Sequence, residues 1–314
     1  MVPNRLPAMG LGIAGALFFS LTFVVNQVMS QHGSWAWTAS LRYFWTVPIF
    51  VVIVGLRGHT GLLWTDLRRH WGRWIWHGSI GFGLFYAPLT WAASYGPAWL
   101  IASTFQITIV AGMLIGPWVG TGKHRLTRRV WITSAIILIG VFFINWPVDG
   151  FSSKSLWAAG PVLLSAFAYP AGNRMNLAHY GDQLDTYQRI LGMTLGSLPV
   201  WFALSGWAYA THGWPNRTLL EGTLMVAVGS GLIATTLFYS ATHRMRRDPS
   251  GLAAVEATQA GEILFAVLGG VWVSANAWPH RLAWIGMMLV IVGLVFHSLG
   301  EMRTRTDLSH ISPP

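Results

Sequence analysis

The sequence contains no cysteine, which excludes disulfides and thiolate metal sites and leaves the compartment unreadable from redox usage. Acidic residues are scarce as well: ten Asp and Glu stand against twenty Lys and Arg in 314 residues. Charged residues of all kinds make up only 10% of the chain and hydrophobic residues 53%, a balance that excludes a water-soluble domain. Long polar connections are also missing, so there is no room for a soluble nucleotide-binding domain. No H-E-x-x-H, P-loop or G-x-S-x-G motif occurs, which excludes an ATP-driven pump and argues against an enzyme. The pattern calls for no metal or cofactor.

What fills the chain instead is one apolar run after another, each near the ~20 residues needed to cross a hydrocarbon core about 30 Å thick. The expected fold class is all-α, a polytopic membrane protein of ten transmembrane helices at 8–30, 34–56, 73–95, 97–119, 129–147, 155–178, 185–206, 221–243, 250–274 and 280–300. The first run lacks an A-x-A-like cleavage site and reads as a retained span rather than a removed signal peptide.

The net charge of +10 would suggest nucleic acid in a soluble protein, but its distribution here is a topology signal. With the N-terminus inside, fourteen of the twenty basic residues fall in inside segments and only Lys154, Arg217 and Arg281 outside, while Arg42, Arg174 and Arg189 lie within spans. The positive-inside rule then places both termini in the cytoplasm of a cell whose inner (plasma) membrane holds the protein.

The two halves resemble each other. Asn26, His32 and Arg42 recur 147 residues later as Asn173, His179 and Arg189, and the Gly81-Phe82-Gly83-Leu84 stretch recurs 148 later as Gly229-Ser230-Gly231-Leu232. Gln106, Gly140 and Phe143 recur 153 later as Gln259, Gly293 and Phe296. Because each unit has five spans, an odd number, the copies must sit in opposite orientations, which predicts two inverted five-helix repeats, 1–150 and 151–303, with a disordered cytoplasmic tail at 304–314. A substrate site is expected near the midplane between them.

The sharpest chemical signal is in "LAAVEATQAGEILFAVLGG", residues 252–270. Glu256, Gln259 and Glu262 fall within about 120° of one another on a helix, so one face of the ninth span is polar. A carboxylate at mid-span is costly in hydrocarbon, so Glu262 should face the bundle interior or a wet cavity, where its neutral form is favoured and it can carry a proton. Its bland alternative is a structural ion pair with an in-span arginine. Arg42 and Arg189, at equivalent places in the second and seventh spans, can hold a substrate carboxylate or phosphate, serve as such counter-ions, or snorkel toward an interface. Tyr43, Tyr86, Trp91, Phe105, Gln106, Tyr169, Tyr187 and Tyr239 could wall a cavity with aromatic and polar surface, although packing is the commoner fate of any one of them. Asp185 and Gln188 have the spacing of a capping box that opens the seventh span.

Ten spans in two halves, "ASLRYFW" in the second, the glycine-rich third, the "YGPAWLIASTFQI" link into the fourth and its counterpart "PSGLAAVEATQAGEILFAVLGG" together resemble the drug/metabolite transporter superfamily. The ninth span looks most like that of the multidrug resistance efflux branch, and the resemblance covers roughly residues 8–300. It implies a secondary exporter working by alternating access. The four-span small multidrug pumps of this superfamily use a glutamate in their first span, and here that span has none, so proton coupling is expected to use Glu262 and Glu256. Substrate contacts are expected from Gln259, Arg42, Arg189, Tyr43, Gln106, Tyr86, Trp91 and Tyr239. The implied partners are a small-molecule substrate, protons and the lipid bilayer, without nucleic acid, in an assembly that could be a homodimer. The runner-up is a uniporter or exchanger of an anionic or zwitterionic metabolite such as an amino acid, and more remote is a membrane enzyme acting on lipid-linked substrates.

Overall fold

The computed structural model describes residues 5–58, 60–115, 128–146, 153–245, 254–255, 257–273 and 278–309, and every regular element among them is helical. The N-terminal half, called the first unit below, contains α1 (Arg5–His32), α2 (Trp35–Leu56), a short amphipathic α3 (Thr60–Arg69) and α4 (Trp71–Gly78). A π-helical turn at Ser79–Leu84 joins α4 to α5 (Phe85–Ala92), and α6 (Ala98–Phe105), α7 (Ile107–Ile115) and α8 (Arg128–Ile144) follow. The C-terminal half, the second unit, contains α9 (Ser153–Tyr180), α10 (Thr186–His212) and α11 (Arg217–Val226). A second π-helical segment, Ala227–Ala234, leads into α12 (Thr235–Met245), and a 3₁₀ turn at Thr258–Ala260 leads into α13 (Gly261–Val273) before α14 (Arg281–Ser309).

Local signals set several boundaries. Ser34 caps α2 by accepting a bond from the Ala36 amide, and α2 gives way at Gly58, whose φ of 75° suits a residue without a Cβ. Asp185 and Gln188 form the expected capping box at the start of α10, and that helix stops at Gly213 with φ 71°. Asn216 caps α11 through the Leu219 amide at 2.8 Å. Prolines 48, 88, 161, 170 and 199 sit inside helices, which neighbouring helices tolerate in an apolar bundle.

Among the described residues, five helical stretches are long and apolar enough to cross a membrane: Arg5–His32, Trp35–Leu56, Ala98–Ile115, Thr186–His212 and Arg217–Met245. Trp131–Ile144, Thr258–Val273 and Arg281–His297 are shorter apolar helices. The expected segments 73–95 and 155–178 fall on the α4–α5 stretch and on α9. α14 continues as helix through Ser309, into the expected tail, since nothing in "EMRTRTDLS" breaks a helix.

The helices pack in an exchanged pattern. α1 lies against the second π-helical segment, α12 and α13, while α9 lies against the first π-helical segment, α5, α6 and α7. α2 packs on α10, and α8 on α14. Both π-helical segments fall on the matched glycine stretches, Gly81–Leu84 and Gly229–Leu232. Such bulges are rare and concentrate at functional sites. Two of the closest approaches depend on glycine: a Cβ on Gly172 would meet the backbone of Gly81, and one on Gly140 would stand 2.7 Å from the carbonyl oxygen of Gly286.

Candidate functional site

The two units enclose a cavity of about 420 Å³, a size suited to a small organic molecule. It reaches from Leu89 and Arg42 in the bundle interior to Thr186 and Arg189 in the first turn of α10. Six of the ten side chains expected to couple protons or contact substrate line it, Arg42, Tyr43, Gln106, Arg189, Gln259 and Glu262, together with Phe105 and Tyr169 of the other candidate wall residues.

Glu262 stands in the first turn of α13, directly after the 3₁₀ turn, and is 7% exposed. Among the described residues it forms no ion pair, so the alternative of a structural pairing with Arg42 or Arg189 is not seen there. Glu256, the other carboxylate expected to couple protons, lies outside the described residues.

Arg42 is pinned between rings. Its guanidinium carbon lies 4.0 Å from the centroid of Tyr86 and 5.5 Å from that of Tyr43, a cation–π arrangement. Tyr43 in turn stacks on Trp201 at 4.4 Å. Among the described residues, Nη1 of Arg42 is buried without a hydrogen-bond partner, as are Nε of Arg189 and Nε2 of Gln259. Arg189 reaches Thr186 Oγ1 through Nη2 at 3.5 Å.

Three of the expected contacts lie away from the cavity surface. Tyr86 forms the layer beneath Arg42 and donates its hydroxyl to Asn26 Oδ1 at 2.9 Å, so it supports the site without lining it. Trp91 is near the end of α5, too far along the helix, and stacks between Trp35 at 5.9 Å and Trp157 at 5.5 Å. Trp35 also packs on Trp207 at 5.7 Å, so this cluster joins α2 and α5 of one unit to α9 and α10 of the other. Tyr239 is 43% exposed and packs on Tyr187 and His243 at the α12 surface.

Most of one wall goes unassigned at the sequence level. Asn173 and Asn176 of α9 line the cavity beside Tyr169, with Asn176 Nδ2 buried and unpartnered. The spacing of four residues from Tyr169 to Asn173 and seven to Asn176 is the signal that could have found them, because it places all three on one helical face. The Tyr169 hydroxyl hydrogen-bonds with Asn173 and lies within electrostatic reach of both Glu262 and Arg42.

An all-helical fold rich in apolar spans, with a polar cavity enclosed by two units, defines a membrane protein built to hold a small molecule. The EmrE family, described as "Putative multidrug resistance efflux transporter", matches residues 6–303, and the chain belongs to that family of transporters. Its relatives include "Uncharacterized protein YjlA" of Bacillus subtilis (strain 168), 42% identical over 94% of this chain and 95% of the relative. Another is "Uncharacterized 42.1 kDa protein in intracellular alkaline protease 3'region" of Shouchella clausii, 41% identical over 81% of this chain and 70% of the relative. One solved crystal structure, 16% identical, aligns over 96% of this chain and 99% of its own with a TM-score of 0.60, a likeness of fold.

Proposed function

We propose that the protein exports small amphipathic molecules across the inner membrane in exchange for protons, through ten spans arranged as two inverted five-helix repeats, 1–150 and 151–303. The exchanged helix packing and the paired π-helical segments support the repeat. Both termini are cytoplasmic in this arrangement. Reporter fusions after Trp146 and after Arg305 test it, the first reading external and the second cytoplasmic; a cytoplasmic reading after Trp146 sinks the inverted repeat.

The observation that carries the coupling is Glu262: a buried carboxylate on the cavity wall with no ion pair among the described residues. The titratable and charged groups that share its cavity are Arg42, Arg189, Tyr43 and Tyr169. Glu262 releases its proton on the cytoplasmic side as substrate enters, and reprotonation from outside displaces the substrate there. Two fluxes that use one site cannot occupy it together, which couples them. Glu256 has the secondary role of setting the pH range. Proton release on ligand binding in detergent, read with a pH dye, tests this for wild type and Glu262→Gln. The variant should release no protons and lose transport driven by a pH gradient while keeping its fold. Gradient-driven transport by Glu262→Gln would end the proposal.

A further inference from the structure

The cavity's donors and its walls constrain the ligand more narrowly than "amphipathic". Four nitrogens of its lining residues are buried without a hydrogen-bond partner among the described residues: Arg42 Nη1, Arg189 Nε, Asn176 Nδ2 and Gln259 Nε2. An amide can rotate to present oxygen, but a guanidinium can only donate, so the two arginines fix the sign. Water can satisfy these donors until a ligand arrives. A ligand that displaces that water without supplying acceptors leaves them bare, and binding suffers. A purely cationic amphiphile supplies none and meets two guanidiniums against one carboxylate.

Some duplicated positions have diverged in the cavity lining, in both directions: Tyr43 and Thr46 of the first unit correspond to Ile190 and Met193 of the second at the offset of 147. Glu262 of the second unit corresponds to Ile109 of the first at the offset of 153, and Ser230 corresponds to Phe82 at 148, with all four lining the cavity. Phe19, Phe23, Phe82, Phe85 and Phe105 form an aromatic wall drawn wholly from the first unit. Asn173, Asn176, Thr186, Ser230 and Thr235, beside Glu262, form a polar wall from the second. Tyr169 lines the same cavity as Arg42 and Glu262.

We infer that the substrate is a compact zwitterion carrying a flat apolar group: its carboxylate meets Arg42, its ammonium meets Glu262 across Tyr169, and its apolar group lies on the phenylalanine wall. Arg189, at the other end of the cavity, draws the anionic end inward. This rests on the transporter reading above and names the substrate class of that same cavity. It also fits the coupling step, because the ammonium takes the place of the departing proton at Glu262.

The test is equilibrium binding to the purified full chain in detergent at neutral pH, with four probes of related shape: phenylalanine, 3-phenylpropionate, phenethylamine and tetraphenylphosphonium. Phenylalanine should bind at least about tenfold more tightly than each single-charge analogue, as expected for losing one charge-assisted contact. Arg42→Gln should erase the preference over phenethylamine, and Glu262→Gln should erase the preference over 3-phenylpropionate. Binding of phenethylamine or tetraphenylphosphonium as tight as that of phenylalanine overturns the inference, and so does failure of both carboxylate probes to bind. Failure of the coupling reading looks different: phenylalanine then binds tightly without proton release. Proton release on tetraphenylphosphonium binding, with no binding of the carboxylate probes, would keep the coupling and discard the zwitterion.

Discussion

The guanidinium of Arg42 rests 4.0 Å from the ring centroid of Tyr86, whose hydroxyl is anchored on Asn26 at 2.9 Å. A charged side chain is thus held in the bundle interior by a π face instead of a carboxylate. The arrangement predicts a split between two substitutions. Tyr86→Phe keeps the ring and should cost about 1 kcal/mol, the worth of one neutral hydrogen bond, with ligand affinity nearly unchanged. Tyr86→Leu removes the π face and should weaken carboxylate ligands severalfold beyond its stability cost. Thermal unfolding and binding titrations on both variants check the split; equal affinities for Phe and Leu would show that the ring does not position Arg42.

The contact of Gly81 with Gly172 gives a second prediction. One belongs to the π-helical turn of the first unit and the other to α9 of the second, and their backbones touch with no side chain between. Gly172→Ala places a methyl group into backbone atoms that cannot turn aside, so the two units must separate locally. The expected loss is about 1–3 kcal/mol, as for overpacking elsewhere. Gly160→Ala, on the same helix with open space around it, is the control and should be neutral or slightly stabilising. Melting temperatures in one detergent decide the comparison.

Trp91 makes the third. Its stack with Trp35 and Trp157 ties α5 to helices of both units near the ends of α2 and α5, while the cavity extends the other way, to the first turn of α10. Under the topology proposed above, the stack lies on the external side and must part when the site opens outward. Each aromatic contact is worth about 0.5–1.5 kcal/mol. Trp91→Ala should therefore shift the population toward the outward-open form by roughly tenfold and raise labelling of a cysteine introduced at Leu89. Unchanged labelling would mean the cluster is interfacial packing alone.

How much of this was legible in the sequence depends on which physical signal each residue gives. Successive long apolar runs exposed the all-helical membrane character, because the length needed to cross a bilayer can be counted directly along the chain. Arg42, Arg189, Gln106, Gln259 and Glu262 were readable because a polar group inside an apolar run is costly and needs a reason. Trp91 and Tyr239 were misplaced for the opposite reason: an aromatic ring is at home in a cavity, a core or an interface, and only its depth along the helix decides which. Asn176 was hidden near the end of its span, where polar residues are common. The π-helical turns coincide with glycine pairs that were visible as a repeat, but a backbone bulge depends on what packs against it, here α9 and α1, and no local pattern states that.

The last prediction concerns α3, the short amphipathic helix between α2 and α4. Asp66 accepts hydrogen bonds from His70 Nδ1 at 2.8 Å and Trp74 Nε1 at 2.7 Å, and Trp74 stacks on Tyr180 of the second unit at 4.2 Å. Burial pushes the Asp66 carboxyl up, but the bonds from His70 and Trp74, with the nearby Tyr180 hydroxyl, outweigh it and hold the group below its ordinary value. A carboxyl lowered in the folded state contributes stability that is full above its unfolded pKa of about 3.9 and is lost as pH falls through the folded value. Asp66→Asn should therefore lower stability by about 1.5–3 kcal/mol at pH 7, the range for bonds to a charged group. The gap between wild type and variant should narrow as the pH drops below about 4, where the unfolded chain's carboxyl takes up a proton while the folded one stays ionised. Thermal unfolding of both proteins from pH 7 down to pH 3 measures that gap. A difference that stays constant across the range would show that the ionised form of Asp66 is not what fastens α3 to the bundle.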